Sequence, residues 1–146
     1  MDSMDTFYVR LTPKRAKRWS GWLQTVRDGL LQQGCRATMA LNHNIRCMYR
    51  GPNGTRCAAG QLIPDDLYSP DMENKPFAEI LMLHSALRRE LGMQDTTDAY
   101  FLDFLQNRLH DMVEDLGAEP ETYRAYVRHL SRAVAAIYGL RAFEAE

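Results

Sequence analysis

No apolar run in this sequence approaches the roughly 18–20 residues that a membrane-spanning helix needs. The opening MDSMDTFYVR has no basic-then-apolar secretory pattern, so a cytoplasmic protein without a membrane role is expected. Cysteine is scarce and odd in number, three in 146 residues, which excludes a disulfide scaffold and fits a reducing compartment. The chain also lacks internal repeats, low-complexity segments, a C-x2-C knuckle and EF-hand spacing. It has no helix-turn-helix, zinc-finger or RNP motif. Its length suits one domain, residues 1–146, able to bury about 68–70% of its unfolded surface without staples.

Charge is present but unevenly distributed. The net charge is −1, yet residues 1–60 carry ten Lys/Arg against three Asp/Glu, whereas residues 61–146 carry eight against sixteen. Either the two halves pack together and neutralise each other, or the surface is bipolar and serves charged partners.

Cys47 to Pro70, CMYRGPNGTRCAAGQLIPDDLYSP, is the segment around which the chain is organised. Ile45–Arg50 and Thr55–Ala59 read as the arms of a β-hairpin. Gly51-Pro52-Asn53-Gly54 supplies a proline-preset turn, with Gly54 at positive φ. In that register Gly51 opposes Thr55 and Tyr49 opposes Cys57. Cys47 and Cys57 then share a sheet face, roughly 7–8 Å apart. With residues 36–41 the arms make a three-stranded antiparallel meander, and Phe7–Leu11 is a further strand candidate.

The remainder has helical periodicity. Thr12-Pro13 opens a helix running to Gln33 with an apolar stripe of Trp19, Trp22, Leu23, Val26 and Leu30, stopped by Gly34. Three more segments follow, Pro76–Leu91, Thr97–Leu116 and Glu121–Tyr138, each ending at a glycine. The expected fold is α+β: a small antiparallel sheet with a β-hairpin, packed against about four helices.

The motif Cys47-x-Tyr49-Arg50…Gly54-x-x-Cys57-Ala58-x-Gly60-x-Leu62-Ile63-Pro64-Asp65 resembles a pattern of small phage and prophage proteins. Leu105-Gln106 and His110-Asp111, with one extra residue between Gln and His, and Tyr138-Gly139-Leu140 are similar to later segments of that family. The resemblance covers residues 45–140 and brings no known activity; no cofactor is expected. It implies a context: a small protein of a mobile element, in the host cytoplasm, acting on a host component.

Candidate sites each have a plainer alternative. Cys35, His43, Cys47 and Cys57 are types that suit tetrahedral zinc, but their spacing fits packed cysteines better. Cys57, ahead of Ala58-Ala59-Gly60, with His110 as base, would make a cysteine hydrolase or transferase. Asp111 lies about 100° around the helix from His110 and is badly placed to orient it. His84 reads as a hydrogen-bonded core histidine and His129 as solvated. Lys14, Arg15, Lys17, Arg18, Arg46, Arg50 and Arg56 form a candidate partner-binding basic surface. That surface suits a host protein or nucleoprotein complex, with nucleic-acid binding or mimicry as the other reading. The leading expectation is an interaction protein that binds and inhibits a host factor, such as a CRISPR-type defence effector, without catalytic or metal residues of its own.

Overall fold

Thr12 accepts the N–H of Arg15 at 3.1 Å and Pro13 occupies the first helical position, so α1 (Pro13–Gln33) starts where its cap dictates. It ends at Gly34, which takes φ +77 and returns its N–H to Leu30 O. The five apolar residues of the expected stripe are all buried. The chain, seen in a computed structural model, is described over residues 11–35, 37–41, 44–111 and 119–140.

After α1 come β1 (Thr38–Leu41) and β2 (Asn44–Cys47), then three short 3-10 turns at Pro52–Gly54, Ala59–Leu62 and Pro70–Met72. Next are α2 (Phe77–Leu83), α3 (Ser85–Leu91) and α4 (Thr96–Gln106). A π-turn (Asn107–Asp111) continues α4, and α5 (Pro120–Tyr138) completes the described chain. Helix α1 packs against α4 and α5, and α2 against α4. The three larger helices meet at an aromatic triad. Trp19 stacks on Phe101 with centroids 4.1 Å apart, and Tyr138 stands edge-on to both at 5.1 and 5.2 Å. Each such pair contributes about 0.5–1.5 kcal/mol beyond its burial.

The fold is helical, and this overturns the α+β expectation. Among the described residues, β-pairing is confined to an antiparallel ribbon of four residues a side, Thr38 opposite Cys47 and Leu41 opposite Asn44. The expected hairpin over 45–59 and its meander do not form. The physical reason is competition for backbone groups. The N–H groups of Tyr49 and Arg50 go to the two oxygens of Glu73, at 3.0 and 3.1 Å. On the returning arm, the Gln33 amide accepts Arg56 N–H at 2.7 Å and donates to Arg56 O at 3.0 Å. That two-bond exchange is what a neighbouring strand would otherwise supply. Ala59 N–H goes to Gln106 Oε1. Two backbone bonds still cross the turn, Gly51 N–H to Thr55 O and Cys57 N–H to Met48 O. Gly54 takes φ +74, alongside Asn53 at φ +59.

Two helix expectations also change. The segment 76–91 breaks at His84 (φ −119, ψ 90) into α2 and α3. Arg88 holds the break by donating to the carbonyls of Leu81 and Met82 at 2.7 and 2.9 Å, which satisfies the end of α2. His84 is half-buried and its Nε2 has no hydrogen-bond partner, contrary to the expected satisfied histidine. The helix expected over 97–116 begins one residue earlier and loosens into the π-turn at Asn107. Phe7–Arg10 and residues 112–118 lie outside the described residues.

Candidate functional site

The family-like motif folds into a knot centred on one arginine and one glutamate. Arg50 donates to the carbonyls of Gly60 (3.0 Å) and Ile63 (2.6 Å) and to Asp65 Oδ1 (3.0 Å). Its guanidinium also lies 4.9 Å from the Tyr68 ring centroid. Glu73, holding the two backbone N–H groups, also accepts the Tyr68 hydroxyl at 2.7 Å. Burial of the phenol, then the hydrogen bond and charge of Glu73, push the Tyr68 pKa up to about 12. The Tyr49 hydroxyl donates to Lys75 O at 2.5 Å. Gly60 is required by close approach: a Cβ there would lie 2.4 Å from Tyr49 O. Tyr49, Arg50, Gly60, Ile63 and Asp65 are thus occupied in holding the loop together.

The expected basic surface divides. Arg15 meets Asp95 at 2.5 Å, and Arg18 donates to both oxygens of Asp98 at 3.0 and 3.2 Å. Asp98 is fully buried and also accepts Trp19 Nε1–H (2.7 Å) and the backbone N–H of Gln94 (2.9 Å). The hydrogen bond from Arg15, then the N–H of Asp98, hold the Asp95 carboxyl below its ordinary range. On the motif knot, Asp65 pairs with both Arg50 and Arg56. Arg46 is placed in β2. Lys14 and Lys17 are exposed on the outer side of α1. With Arg18, Gly21, Trp22 and Thr25 they line a shallow hollow of about 520 Å³. A Cβ at Gly21 would meet nothing within 4 Å, so another chain can approach closely there.

The cysteines do not gather. Cys35 is exposed after α1, whereas Cys57 is 1% exposed and its sulfur accepts the N–H of Gly60 at 3.3 Å. Cys47 ends β2, and His43 lies outside the described residues. Among the described residues no group of three His, Cys, Asp or Glu side chains is arranged to hold a metal. His110 falls in the π-turn after α4, and His129 is exposed as expected. Burial of Cys57 is at odds with the accessible thiolate that a cysteine nucleophile requires. Cys57 does reach the floor of a cleft of about 500 Å³ between the end of α4 and residues 74–77.

Gln33, Glu73, Asp98 and Gln106 organise these sites, and none was assigned such a role from the sequence; Gln106 entered only through the Leu105-Gln106 resemblance. Only Asp98 carried a local signal. Asp95-Thr96-Thr97-Asp98 has the spacing of a capping box, and Asp95 does accept Asp98 N–H at 3.0 Å. No helix of the described residues is long and apolar enough to cross a membrane. No family model matches the chain, and no curated protein or solved structure matches it.

Proposed function

We propose that the protein is a non-catalytic interaction module that binds an acidic segment of a partner protein along the outer face of α1. The observation that carries this is the exposed pair Lys14 and Lys17 beside the Gly21–Trp22 hollow. Arg15 and Arg18 are answered by Asp95 and Asp98, so the two lysines are the cations that α1 still offers. They lie near the positive end of the helix dipole, and the first turn contains no acid. One helical turn between the lysines, with an apolar wall of Trp22 beside them, suits a peptide. A duplex needs several spaced cations, and Arg15, Arg18, Arg50 and Arg56 are engaged internally. The mobile-element context implied by the motif makes a host protein the partner.

The test is capture from host lysate with the wild-type chain and with K14Q/K17Q, followed by kinetics of the purified captured protein in a salt series. The expected result is an acidic protein that the variant binds more slowly, with flatter salt dependence. The variant's melting temperature should change by no more than about 1 °C, because surface substitutions of this kind cost little. Equal binding by both chains, or recovery of nucleic acid in place of a protein, overturns the proposal.

A further inference from the structure

We propose that the cleft at the end of α4 is a binding site for a small carboxamide or lactam, a ligand that presents a C=O and an N–H side by side. This goes beyond the interaction face on α1 and uses none of its residues.

The argument begins with Gln106, which is 8% exposed and lines the cleft. Its Oε1 accepts the N–H of Ala59 at 2.7 Å. That bond fixes which way the amide is turned: oxygen to the backbone, NH2 to the cleft. Among the described residues nothing accepts from this NH2. The residue lines the cleft, so this NH2 is a donor that a ligand carbonyl entering the cleft can meet.

Asp103 stands one turn earlier on the same face of α4. Its Oδ1 accepts the N–H of Ala78 at 3.2 Å, which leaves the second oxygen to receive a donor. Asp103, Gln106 and Asn107 are spaced i, i+3, i+4, so they line one wall together. That wall offers an acceptor and a donor next to each other, the mirror of an amide edge. The facing wall is Asn74–Phe77, with Asn74 at φ +70, and Pro76, Phe77 and Cys57 supply apolar surface for the body of a ring. A volume of about 500 Å³ lies within the roughly 300–1,000 Å³ usual for small-molecule sites. The helix changes to a π-turn at Asn107, the edge of the same cleft, and π-turns within helices recur at functional sites.

The chemistry predicts an order among three probes built on one benzoyl group. Benzamide has both partners. Benzoate lacks the donor and meets the Asp103 charge. N,N-Dimethylbenzamide keeps the carbonyl and loses the N–H. By ligand-detected NMR and calorimetry, benzamide should bind the intact chain with Kd on the order of 1 mM, and the other two about tenfold more weakly or worse. D103N gives the sharper test. The bond from Ala78 N–H keeps the new side-chain oxygen in place, so an NH2 replaces the free carboxylate oxygen. Two donors then face the ligand, and benzoate should bind D103N at least as well as benzamide. Q106M should lose benzamide binding by about tenfold. Should Q106M not fold, D103N alone decides the matter. K14Q/K17Q should bind benzamide as the wild type does, whatever becomes of the α1 face. Equal binding of the three probes, no detectable binding of benzamide, or an unchanged order in D103N each overturns the proposal.

Discussion

The clasp between α1 and α4 and the knot over residues 48–75 are both built from arginine and carboxylate, but the charges do different work. In the clasp, side chain answers side chain: Arg15 and Arg18 against Asp95 and Asp98, about 80 residues away in sequence. In the knot the charged groups engage mainly backbone. Glu73 takes two N–H groups and Arg50 takes two carbonyls beyond its own turn. The first arrangement joins two helices that are already complete. The second stands in for secondary structure in a segment that has little of its own. One should therefore fail as tertiary packing fails, and the other as a local loop fails.

The largest expected effect is in the clasp. D98A removes the acceptor for Trp19 Nε1–H, Arg18 and Gln94 N–H together, at a fully buried position. Breaking a buried charge cluster by removing one member costs about 3–5 kcal/mol. Urea unfolding at neutral pH should show a loss of that size, with D98N intermediate because it keeps one oxygen. A loss below about 1 kcal/mol would reduce the clasp to a surface ion pair and end the contrast.

The knot comes next. E73Q turns one of two acceptor oxygens into a donor facing an N–H, so one backbone group loses its partner and the other keeps it. The cost should be about 1–3 kcal/mol. Its signature is location: hydrogen exchange at Tyr49 and Arg50 should accelerate while amides of α1 and α4 change only by the global loss. Uniform acceleration across the chain would place Glu73 in the cooperative core and remove the distinction drawn here.

Sequence periodicity was a good guide wherever a residue's partner was its own helix or a generic apolar neighbour. Thr12-Pro13, the Trp19–Leu30 stripe and the stops at Gly34, Gly92 and Gly139 needed nothing from afar, and each glycine takes positive φ. The loop misled for a physical reason. Ile45–Arg50 and Thr55–Ala59 have strand-like composition, and Gly54 adopts its expected conformation. What decides against strands is that Gln33, Glu73 and Gln106 satisfy the arms' backbone groups, and nothing in the sequence ties those residues to the arms. The break at His84 was hidden likewise: no proline or glycine announces it, and Arg88 holds it from four residues on. For the candidate site, the exposure of Lys14 and Lys17 was legible as helix geometry. The withdrawal of Arg15 and Arg18 depended on how α4 packs. The cleft at Gln106 depended on the orientation of a single amide.

The smallest effect separates the two members of the clasp itself. Asp95 is a half-exposed carboxylate, its side chain 41% accessible, and it both caps α4 and pairs with Arg15. D95N keeps the cap, since asparagine is as good an N-cap as aspartate, and removes only the charge. Exposed pairs contribute about 0.2–1 kcal/mol, and solvent screening puts this one toward the lower end. The pH dependence gives the sign. The folded carboxyl lies below its ordinary value, so the unfolded chain takes up the proton first as pH falls. The stabilisation is therefore whole above the unfolded pKa of about 4 and disappears as pH drops through the folded value. The stability gap between wild type and D95N, followed by urea melts from pH 6 downward, should hold steady and then close below about pH 4. Added salt should narrow it at pH 6. A gap that survives undiminished into strong acid would mean that Asp95 acts through its cap geometry, and that Arg15 is held to α4 by something other than charge.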